Sequence, residues 1–420
     1  MSDVARVSLA EMGPAAAVAA LRPPAATGIC DSVAELIANV RERGDAAVVD
    51  IARKFDCPNF IQPYIRVEPG HLEKAAAGLD ARLAEAIAVA ADQVAALSAA
   101  SLPDEREVTL PAGQEVVLRQ IPVGSVGCYV PGGRAAYPSS LIMAAVPAQV
   151  AGVQRIAVVS PPGPSGAPSD VTLATAALLG IDEVYAAGGV AAVAALAFGT
   201  ASIPSVDIIV GPGNSWVQEA KRQVCGVVGV DSGVAGPSEV VALVDASADP
   251  EAIALDLLAQ AEHGPDSPAV AVSTSPEILD AIAGELERRG PASGTLTLVD
   301  APDLESAVAF AEEFAPEHLQ LNLTDAQSLA GRISRAGAVF VGPNGGTAFG
   351  DYIAGSNHIL PTGGGARFAS AVGPATYLRR MSIVNLPQEA VDTLAPHLAA
   401  LADAEGFPAH RESALVRTSA

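Results

Sequence analysis

Hydrophobic residues recur at helical spacing through the first hundred positions of the chain. Ser32 and Glu35 have the spacing of a capping box, and we predict that they open a helix running to about Phe55. A second, alanine-rich helix is predicted from about residue 71 to about residue 98. The first quarter of the chain is therefore expected to be helical.

From residue 115 onward, short apolar runs alternate with helical patterns. The predicted strands are residues 115–122, 125–130, 155–160, 183–186, 206–210, 239–244, 269–273, 295–299 and 338–341. Helices are predicted between them, including residues 141–150, 171–179 and 190–198. Such alternation is typical of parallel sheets covered by helices. After about Met381 the pattern is helical, and no strand partner is predicted there.

This pattern predicts an α/β fold of two incomplete Rossmann-like units, each with an open parallel sheet, followed by a helical C-terminal arm. The predicted divisions are an N-terminal arm (1–24), a discontinuous first α/β domain (25–128 and 238–372), a second α/β domain (129–237) and the C-terminal arm (373–420). A helical tail without a strand partner usually packs on another body. That body is expected to be either the chain's own domains or a second subunit.

The segment Asp256-Leu-Leu-Ala-Gln-Ala-Glu-His263 is typical of the last turns of a helix. Gln260 and His263 are three residues apart, so they can direct a carbonyl oxygen and an imidazole nitrogen at one point. Zinc accepts ligands of both kinds. The alternative is that His263 only complements the dipole at the helix end.

Three further candidate histidines, His318, His358 and His410, lie near acidic residues in the sequence. Glu317 and His318 follow a proline, and an adjacent Glu-His pair suits acid/base work because each group can titrate near a useful pH. Asp351 and His358 share a glycine-rich loop, and His410 lies ten residues from the C-terminus. Alternatively, Glu317 and His318 would be two polar residues of a surface turn, and Asp351 would be a turn residue that caps its own backbone. Together the residues predict zinc-assisted chemistry with a Glu/His pair as acid and base.

Composition narrows the class of protein. The formal net charge of −23 argues against nucleic acid and against an anionic membrane surface as partners, because both require basic patches. The four cysteines have no paired spacing, so neither a zinc ribbon nor a redox CxxC motif is predicted. No signal peptide is recognised at the N-terminus, and no uninterrupted apolar stretch reaches membrane-spanning length. We expect a soluble, cytoplasmic protein.

Nucleotide-binding motifs of the common kinds do not occur. The chain contains neither GxGxxG nor a P-loop. However, Gly211-Pro-Gly-Asn214 lies where a predicted strand meets a helix, and backbone N–H groups at such a turn can hold an anionic group. The same glycines could simply be needed for a tight turn.

Segments spread over nearly the whole chain resemble those of the histidinol dehydrogenase family. They occur in the family's order and spacing and are Val126-Gly-Cys-Tyr-Val-Pro-Gly-Gly133, Ile209-Val-Gly-Pro-Gly-Asn214, Val234-Ala-Gly-Pro-Ser-Glu-Val240, Gln260-Ala-Glu-His263, Ala315-Pro-Glu-His-Leu319, Gly350-Asp-Tyr-Ile-Ala-Gly355, Asn357-His-Ile-Leu-Pro-Thr362 and the ending Glu405…His410. The resemblance implies NAD-dependent oxidation of L-histidinol to L-histidine through L-histidinal, in two successive hydride transfers. It also implies one zinc ion per subunit and an intertwined homodimer whose C-terminal arms complete each other's sites.

By the same resemblance each site residue has an implied role. The implied zinc ligands are Gln260, His263, Asp351 and His410, and the implied acid/base pair is Glu317 and His318. The implied substrate contacts are Ser238, His358 and Glu405, together with Gln260, His263, His318, Asp351 and His410. Tyr129 and Asn214 would lie at the nicotinamide cofactor.

One position departs from the family's pattern. The family usually carries a cofactor-contacting glutamine where this chain has Ala191, and losing one such hydrogen bond would weaken NAD binding by about 1 kcal/mol. A related zinc/NAD dehydrogenase of another small polar alcohol, such as a sulfonated propanediol, is the alternative within the enzyme class, and Arg134 could serve its anion. A zinc hydrolase in which Glu317 activates water would leave the two α/β units without a purpose.

Overall fold

The computed structural model describes residues 4–22, 28–132, 136–231 and 237–419. Gly133, Arg134 and residues 234–236, which the sequence analysis singled out, lie outside these ranges. The described strands are β1 (Ala5–Ser8), β2 (Arg106–Thr109), β3 (Glu115–Pro122), β4 (Ser125–Tyr129), β5 (Arg155–Ser160), β6 (Val184–Ala186), β7 (Ile208–Val210), β8 (Gly229–Val230), β9 (Val240–Val244), β10 (Pro268–Ser273), β11 (Thr295–Asp300), β12 (His318–Asn322), β13 (Ala338–Val341) and β14 (Leu378–Asn385).

The described α-helices alternate with most of these strands. They are α1 (Leu9–Met12), α2 (Pro14–Leu21), α3 (Cys30–Arg43), α4 (Asp45–Phe55), α5 (Pro69–Ala77), α6 (Ala81–Ala100), α7 (Pro138–Ala151), α8 (Asp170–Leu178), α9 (Gly189–Phe198), α10 (Ser215–Val224), α11 (Pro250–Ala261), α12 (Pro276–Arg289), α13 (Leu304–Phe314), α14 (Ala326–Ala330), α15 (Thr347–Tyr352), α16 (Gln388–Glu405) and α17 (Pro408–Leu415). Short 3-10 helices occur at Gln62–Tyr64, Gly365–Arg367 and Pro374–Tyr377.

Two parallel sheets with helices between their strands form the body of the fold, as predicted. One has six strands in the order β1-β11-β10-β9-β12-β13, and the other has five in the order β6-β5-β4-β7-β8. β9 and β12 are buried along their whole length, as expected for strands covered on both faces. The order reverses between β9 and β12 in one sheet and between β4 and β7 in the other.

The prediction that the chain beyond about Met381 lacks a strand partner is wrong. β14 pairs antiparallel with β3 along its full length, and β2 pairs with the other side of β3. The strand is largely solvent-exposed, so its residues carry little of the burial pattern by which a strand is recognised. The helical part of the C-terminal arm is therefore α16 and α17, and it follows a small antiparallel sheet.

Both long amino-terminal helices are also interrupted where one continuous helix was predicted. Gly44, with φ 54°, separates α3 from α4, because a left-handed residue ends the helical hydrogen-bond pattern. Asp80 caps α6 by accepting hydrogen bonds from two backbone N–H groups, which separates α6 from α5. The capping box at Ser32 and Glu35 is wrong as well, because α3 already begins at Cys30 without a side-chain cap.

Hydrophobic cores lie on the faces of both sheets. α6 packs against α7 and α8, with Ile87 and Val94 buried. By length and composition alone, α6 is also apolar enough to span a membrane. All four cysteines are free, with Cys57 and Cys128 buried and Cys30 and Cys225 exposed.

Candidate active site

A sharp turn at the start of β12 presents Glu317 and His318. α13 ends at Phe314, and Ala315 adopts a left-handed conformation with φ 43°, after which Pro316 cannot continue a helix. The helix therefore ends ahead of the Glu-His pair, as the proline predicted. A non-glycine residue in this conformation is strained, and such strain is retained where the surrounding structure requires it.

Glu317 is almost fully buried and is held by the two residues that precede the neighbouring strand β9. Its Oε2 accepts a hydrogen bond from the Glu239 backbone N–H at 2.9 Å, and the Ser238 side chain also hydrogen-bonds to it. Burial raises the pKa of Glu317 to about 7, against the opposing effect of the positive charge on His318. A carboxyl group with this pKa can give or take a proton near neutral pH.

His318 lies between two carboxylates. Its Nε2 is 3.1 Å from Asp351 Oδ1, and its Nδ1 is 3.6 Å from Glu317 Oε2. Burial alone would lower the pKa of His318, but the negative charge of Glu317 and the hydrogen bond to Asp351 raise it to about 9. Loss of the Asp351 hydrogen bond would move this pKa back down, toward the range of a general base.

Asp351 reaches His318 because α15 approaches β13 closely. A Cβ at Gly350 would overlap the ring of Phe340, so only glycine allows this approach. The electrostatic neighbours of Asp351 include His263 as well as His318 and His358. Three of the predicted site residues, Asp351, His263 and His318, are thus brought together within one chain.

His263 and Gln260 lie at the C-terminal end of α11, as predicted. Partial burial lowers the pKa of His263, against the attraction of Asp351, which favours the neutral imidazole that can bind a metal. Gln260 lies one turn earlier and is buried, and its Nε2 has no hydrogen-bond partner among the described residues. A buried amide nitrogen without a partner is uncommon and requires an explanation.

His358 connects the two halves of the fold. Its Nδ1 is 2.7 Å from the Asp351 carbonyl oxygen, so this nitrogen carries the proton and donates. Its Nε2 lies 3.4 Å from Ser140 Oγ on α7. Burial lowers the pKa of His358, in keeping with a neutral ring. The first turn of α7, which follows β4, is therefore adjacent to this cluster of acids and histidines.

This cluster lies at the amino ends of β9 and β12. Ser238 lies two residues before β9, and His318 is the first residue of β12. α11 follows β9 and runs back along the sheet, so its end, with Gln260 and His263, returns to the same edge. Ligands of open α/β sheets usually bind at the carboxyl edge, so the six-stranded sheet uses the opposite one.

Two predicted site residues are not part of the cluster in this chain. His410 is exposed on α17, where its ring packs 5.2 Å from that of Phe407, and Glu405 is exposed at the end of α16. Within the ranges that the structure describes, no group of three or more His, Cys, Asp or Glu side chains has the arrangement of a metal site. Gln260, His263 and Asp351 are therefore the predicted zinc ligands available from the body of one subunit.

The residues predicted to contact the cofactor lie at the carboxyl edge of the five-stranded sheet. Tyr129 ends β4 and is buried, and its hydroxyl accepts a hydrogen bond from Gly189 N at 3.2 Å. Asn214 caps α10, its Oδ1 accepting from Trp216 N and Val217 N at 3.1 and 3.2 Å. β4 and β7 are neighbours at the reversal of strand order, where nucleotides bind in open α/β sheets. Ala191, by contrast, is buried inside α9.

Sequence reasoning did not anticipate the role of Glu239. Its side chain is buried, Oε1 accepts from Gly363 N at 3.1 Å, and its backbone carbonyl accepts from His318 N at 3.2 Å. Burial and the nearby charge of Glu317 raise the pKa of Glu239 to about 8. Its position next to Ser238 was the only available signal, because an acid before an apolar strand is otherwise typical of a solvent-exposed turn.

Comparisons with known proteins agree over nearly the full length. The sequence profile of the histidinol dehydrogenase family matches residues 24–418. Histidinol dehydrogenase of Parasynechococcus marenigrum (strain WH8102) is 43% identical over 391 residues, covering 90% of this chain and 89% of the relative. That of Thermobifida fusca (strain YX) is 40% identical over 426 residues, covering 97% and 93%. The crystal structure of histidinol dehydrogenase from Elizabethkingia anophelis matches with a TM-score of 0.92 and 31% identity, covering 99% of this chain and 98% of that one.

Proposed function

Because the chain belongs to the histidinol dehydrogenase family, an oxidoreductase family of histidine biosynthesis, we propose that it oxidises L-histidinol to L-histidine through L-histidinal, with NAD as the hydride acceptor. The observation that supports this most is the single cluster of Glu317, His318, Asp351 and His263, which combines acid/base and ligand groups. As a biosynthetic enzyme it would act in the cytoplasm, on a small-molecule substrate.

The residues at the cluster fit a zinc ion. The amide oxygen of Gln260, an imidazole nitrogen of His263 and a carboxylate oxygen of Asp351 are donors of the kinds that zinc binds, and burial favours the neutral form of His263 that a metal requires. When bound, one zinc ion per subunit would supply a Lewis-acid anchor for the amine and imidazole nitrogens of the substrate. The proposed fourth ligand is His410 of a second subunit.

His318 is the proposed base for alcohol oxidation. Hydride can leave the alcohol carbon only as the hydroxyl proton is removed, and an imidazole is suited to accept that proton. In this chain Asp351 raises the pKa of His318. When Asp351 serves as a ligand instead, His318 loses that hydrogen bond and its pKa falls, so a larger fraction of its imidazole is neutral and free to accept a proton at neutral pH.

The second oxidation needs a hydrated aldehyde. Glu317, with a pKa raised to about 7, can take a proton from water as it adds to L-histidinal, and His318 is adjacent and can share this task. Ser238 and His358 border the same cluster and would hold the substrate. The nicotinamide would lie near Tyr129 and Asn214, at the neighbouring sheet edge.

A homodimer would complete the site. α16 and α17 pack mainly against each other, and large apolar side chains on and around them are exposed, among them Leu398, Leu401 and Phe407. Exposed apolar surface of this kind marks a binding interface. We propose that the arm crosses to a second copy of the chain, so that Glu405 and His410 reach the partner's substrate and metal.

NADH formation by the zinc-loaded protein with L-histidinol tests the proposal. Two NADH per histidinol consumed, abolished by a chelator and restored by zinc, is the expected result. One NADH per substrate would contradict the four-electron reaction. No NADH with histidinol but turnover of another small alcohol would instead point to the related dehydrogenase.

A further inference from the structure

A buried ion pair lies directly beneath the cofactor turn. Lys221 on α10 is fully buried, and its Nζ is 2.6 Å from Asp231 Oδ1 and 2.7 Å from Asp231 Oδ2. Neither residue belongs to the catalytic cluster. A buried ion pair is weak evidence for stability, because well-packed apolar residues of similar volume often stabilise a protein as well. Its presence here therefore calls for another explanation.

The pair holds both polar groups of one backbone residue. Lys221 Nζ donates to the Gly211 carbonyl oxygen at 2.6 Å, and Asp231 Oδ2 accepts from Gly211 N–H at 2.8 Å. The lysine thus uses its three N–H donors on buried acceptors. Gly211 is the first residue after β7 and begins the Gly-Pro-Gly-Asn turn.

Gly211 occupies a position that tolerates little displacement. Its φ is +131°, a conformation that side-chain-bearing residues rarely adopt, and a Cβ there would overlap the carbonyl oxygen of Tyr129. Gly211 thus lies in close contact with Tyr129, one residue beyond the last pair of β4 and β7 and at the reversal of strand order. A shift of Gly211 would be passed to Asn214, which lies three residues further along and caps α10.

We propose that Lys221 and Asp231 are positioning residues for the dinucleotide-binding turn. They fix the backbone of Gly211, and through it the relative positions of Asn214 and Tyr129, so that nucleotide affinity depends on the pair beyond its effect on stability. The inference rests on the proposed use of NAD. It concerns binding geometry, because neither side chain is exposed enough to touch a cofactor.

A comparison of single and double variants separates the two roles. Lys221→Met and Asp231→Asn each leave an unpaired buried group and should lower the thermal unfolding midpoint, by roughly 5 °C or more. The double variant K221M/D231N removes both charges, so its midpoint should return toward the wild-type value. It cannot restore the donor to the Gly211 carbonyl. The matched control is E219Q/R222M, which removes an ion pair on the same helix between an exposed arginine and a largely buried glutamate.

Nucleotide binding is measured directly, without turnover. Trp216 is the only tryptophan of the chain and lies two residues after Asn214, so energy transfer from it to NADH gives a dissociation constant for each variant. We expect K221M/D231N to bind NADH about tenfold more weakly. Its KM for NAD+ should rise in parallel while kcat at saturation stays within about twofold, and the control should match wild type in all three.

Wild-type NADH affinity in a K221M/D231N protein of restored stability would overturn the inference and leave the pair a structural feature only. Should the double variant remain unstable, Lys221→Arg decides in the same way, because it keeps the charge but replaces the compact ammonium by a planar group. A folded K221R with weakened NADH binding supports the inference, and one with wild-type binding overturns it. Failure of the wild-type protein to bind NADH would instead refute the proposed cofactor, and this inference with it.

Discussion

Replacing Glu239 with glutamine should remove part of the pH dependence of the free energy of unfolding. Glu239 is buried beside Glu317, and its pKa is raised from 4.5 to about 8 in the folded protein. In the unfolded chain the Glu239 side chain has its ordinary pKa of 4.5. The contribution of Glu239 to stability is therefore fully present below pH 4.5, falls as pH rises, and is lost above about pH 8. Glu239→Gln cannot ionise and should lack this slope.

The magnitude follows from the same values. The interval from 4.5 to about 8 spans roughly 3.5 pH units, and each is worth about 1.36 kcal/mol, so the slope removes at most about 5 kcal/mol. Glutamine keeps an acceptor for Gly363 N–H but brings a buried NH2 group without a partner, which costs about 1–3 kcal/mol. E239Q should thus be less stable than wild type near pH 4.5, and about 2–4 kcal/mol more stable above pH 8.

Urea unfolding at several pH values between 5 and 9 measures this difference, with the free energy of unfolding extrapolated to water at each pH. The two profiles should cross. Glu73→Gln, which removes an exposed glutamate on α5, is the matched control and should leave the wild-type slope in place. Parallel profiles for E239Q and wild type would refute the argument, because they would mean that Glu239 is ionised equally in the folded and unfolded states.

Three further predictions concern the proposed reaction. His318→Asn should lower kcat by about 100-fold or more while zinc content, measured by atomic absorption, stays near wild type; loss of the metal along with activity would contradict the assignment of His318 as base. Inactive H318N and H410A proteins, unfolded together and refolded as a mixture, should regain about a quarter of wild-type activity, because half of the dimers are mixed and each has one intact site. A mixture that stays inactive would argue against sharing of the site between subunits. Dialysis against a chelator should abolish turnover but leave NADH binding, followed by energy transfer from Trp216, within about twofold, and a large loss of binding would mean that the metal also holds the nucleotide half of the fold together.

The sequence predicted the parallel α/β architecture because buried strands alternate with helices at recognisable periods. β5 and β13 have the predicted bounds. β1, β8 and β14 escaped prediction because they are short or solvent-exposed and carry no clear apolar pattern. β12 escaped for a different reason. It is buried throughout but begins with His318, and the Glu-His pair was interpreted as acid/base chemistry rather than as the start of a strand.

Site residues were predictable where their chemistry is carried by the side chain itself. The histidines and acids of the cluster stood out because they are few and lie beside prolines and glycines. Glu239, Lys221 and Asp231 act through backbone N–H and carbonyl groups of residues distant in sequence, such as Gly211 and Gly363, and this cannot be inferred from the local sequence. Lys221 offered only the hint that it is one of three lysines.

The two parallel sheets both reverse their strand order once, but the proposed functional residues lie at opposite ends of their strands. The proposed catalytic groups occupy the end at which β9 and β12 begin, and the proposed cofactor turn occupies the end at which β4 and β7 finish. At the carboxyl end of the six-stranded sheet, Asp245 accepts hydrogen bonds from Thr324 N at 2.8 Å and from Ser247 N at 2.8 Å, which ties the loop after β12 to the loop after β9. In open α/β sheets a ligand usually binds at this carboxyl edge, but in the six-stranded sheet these hydrogen bonds join the loops that follow β9 and β12. The two ends of that sheet therefore differ: one links neighbouring loops, and the other carries the clustered acids and histidines.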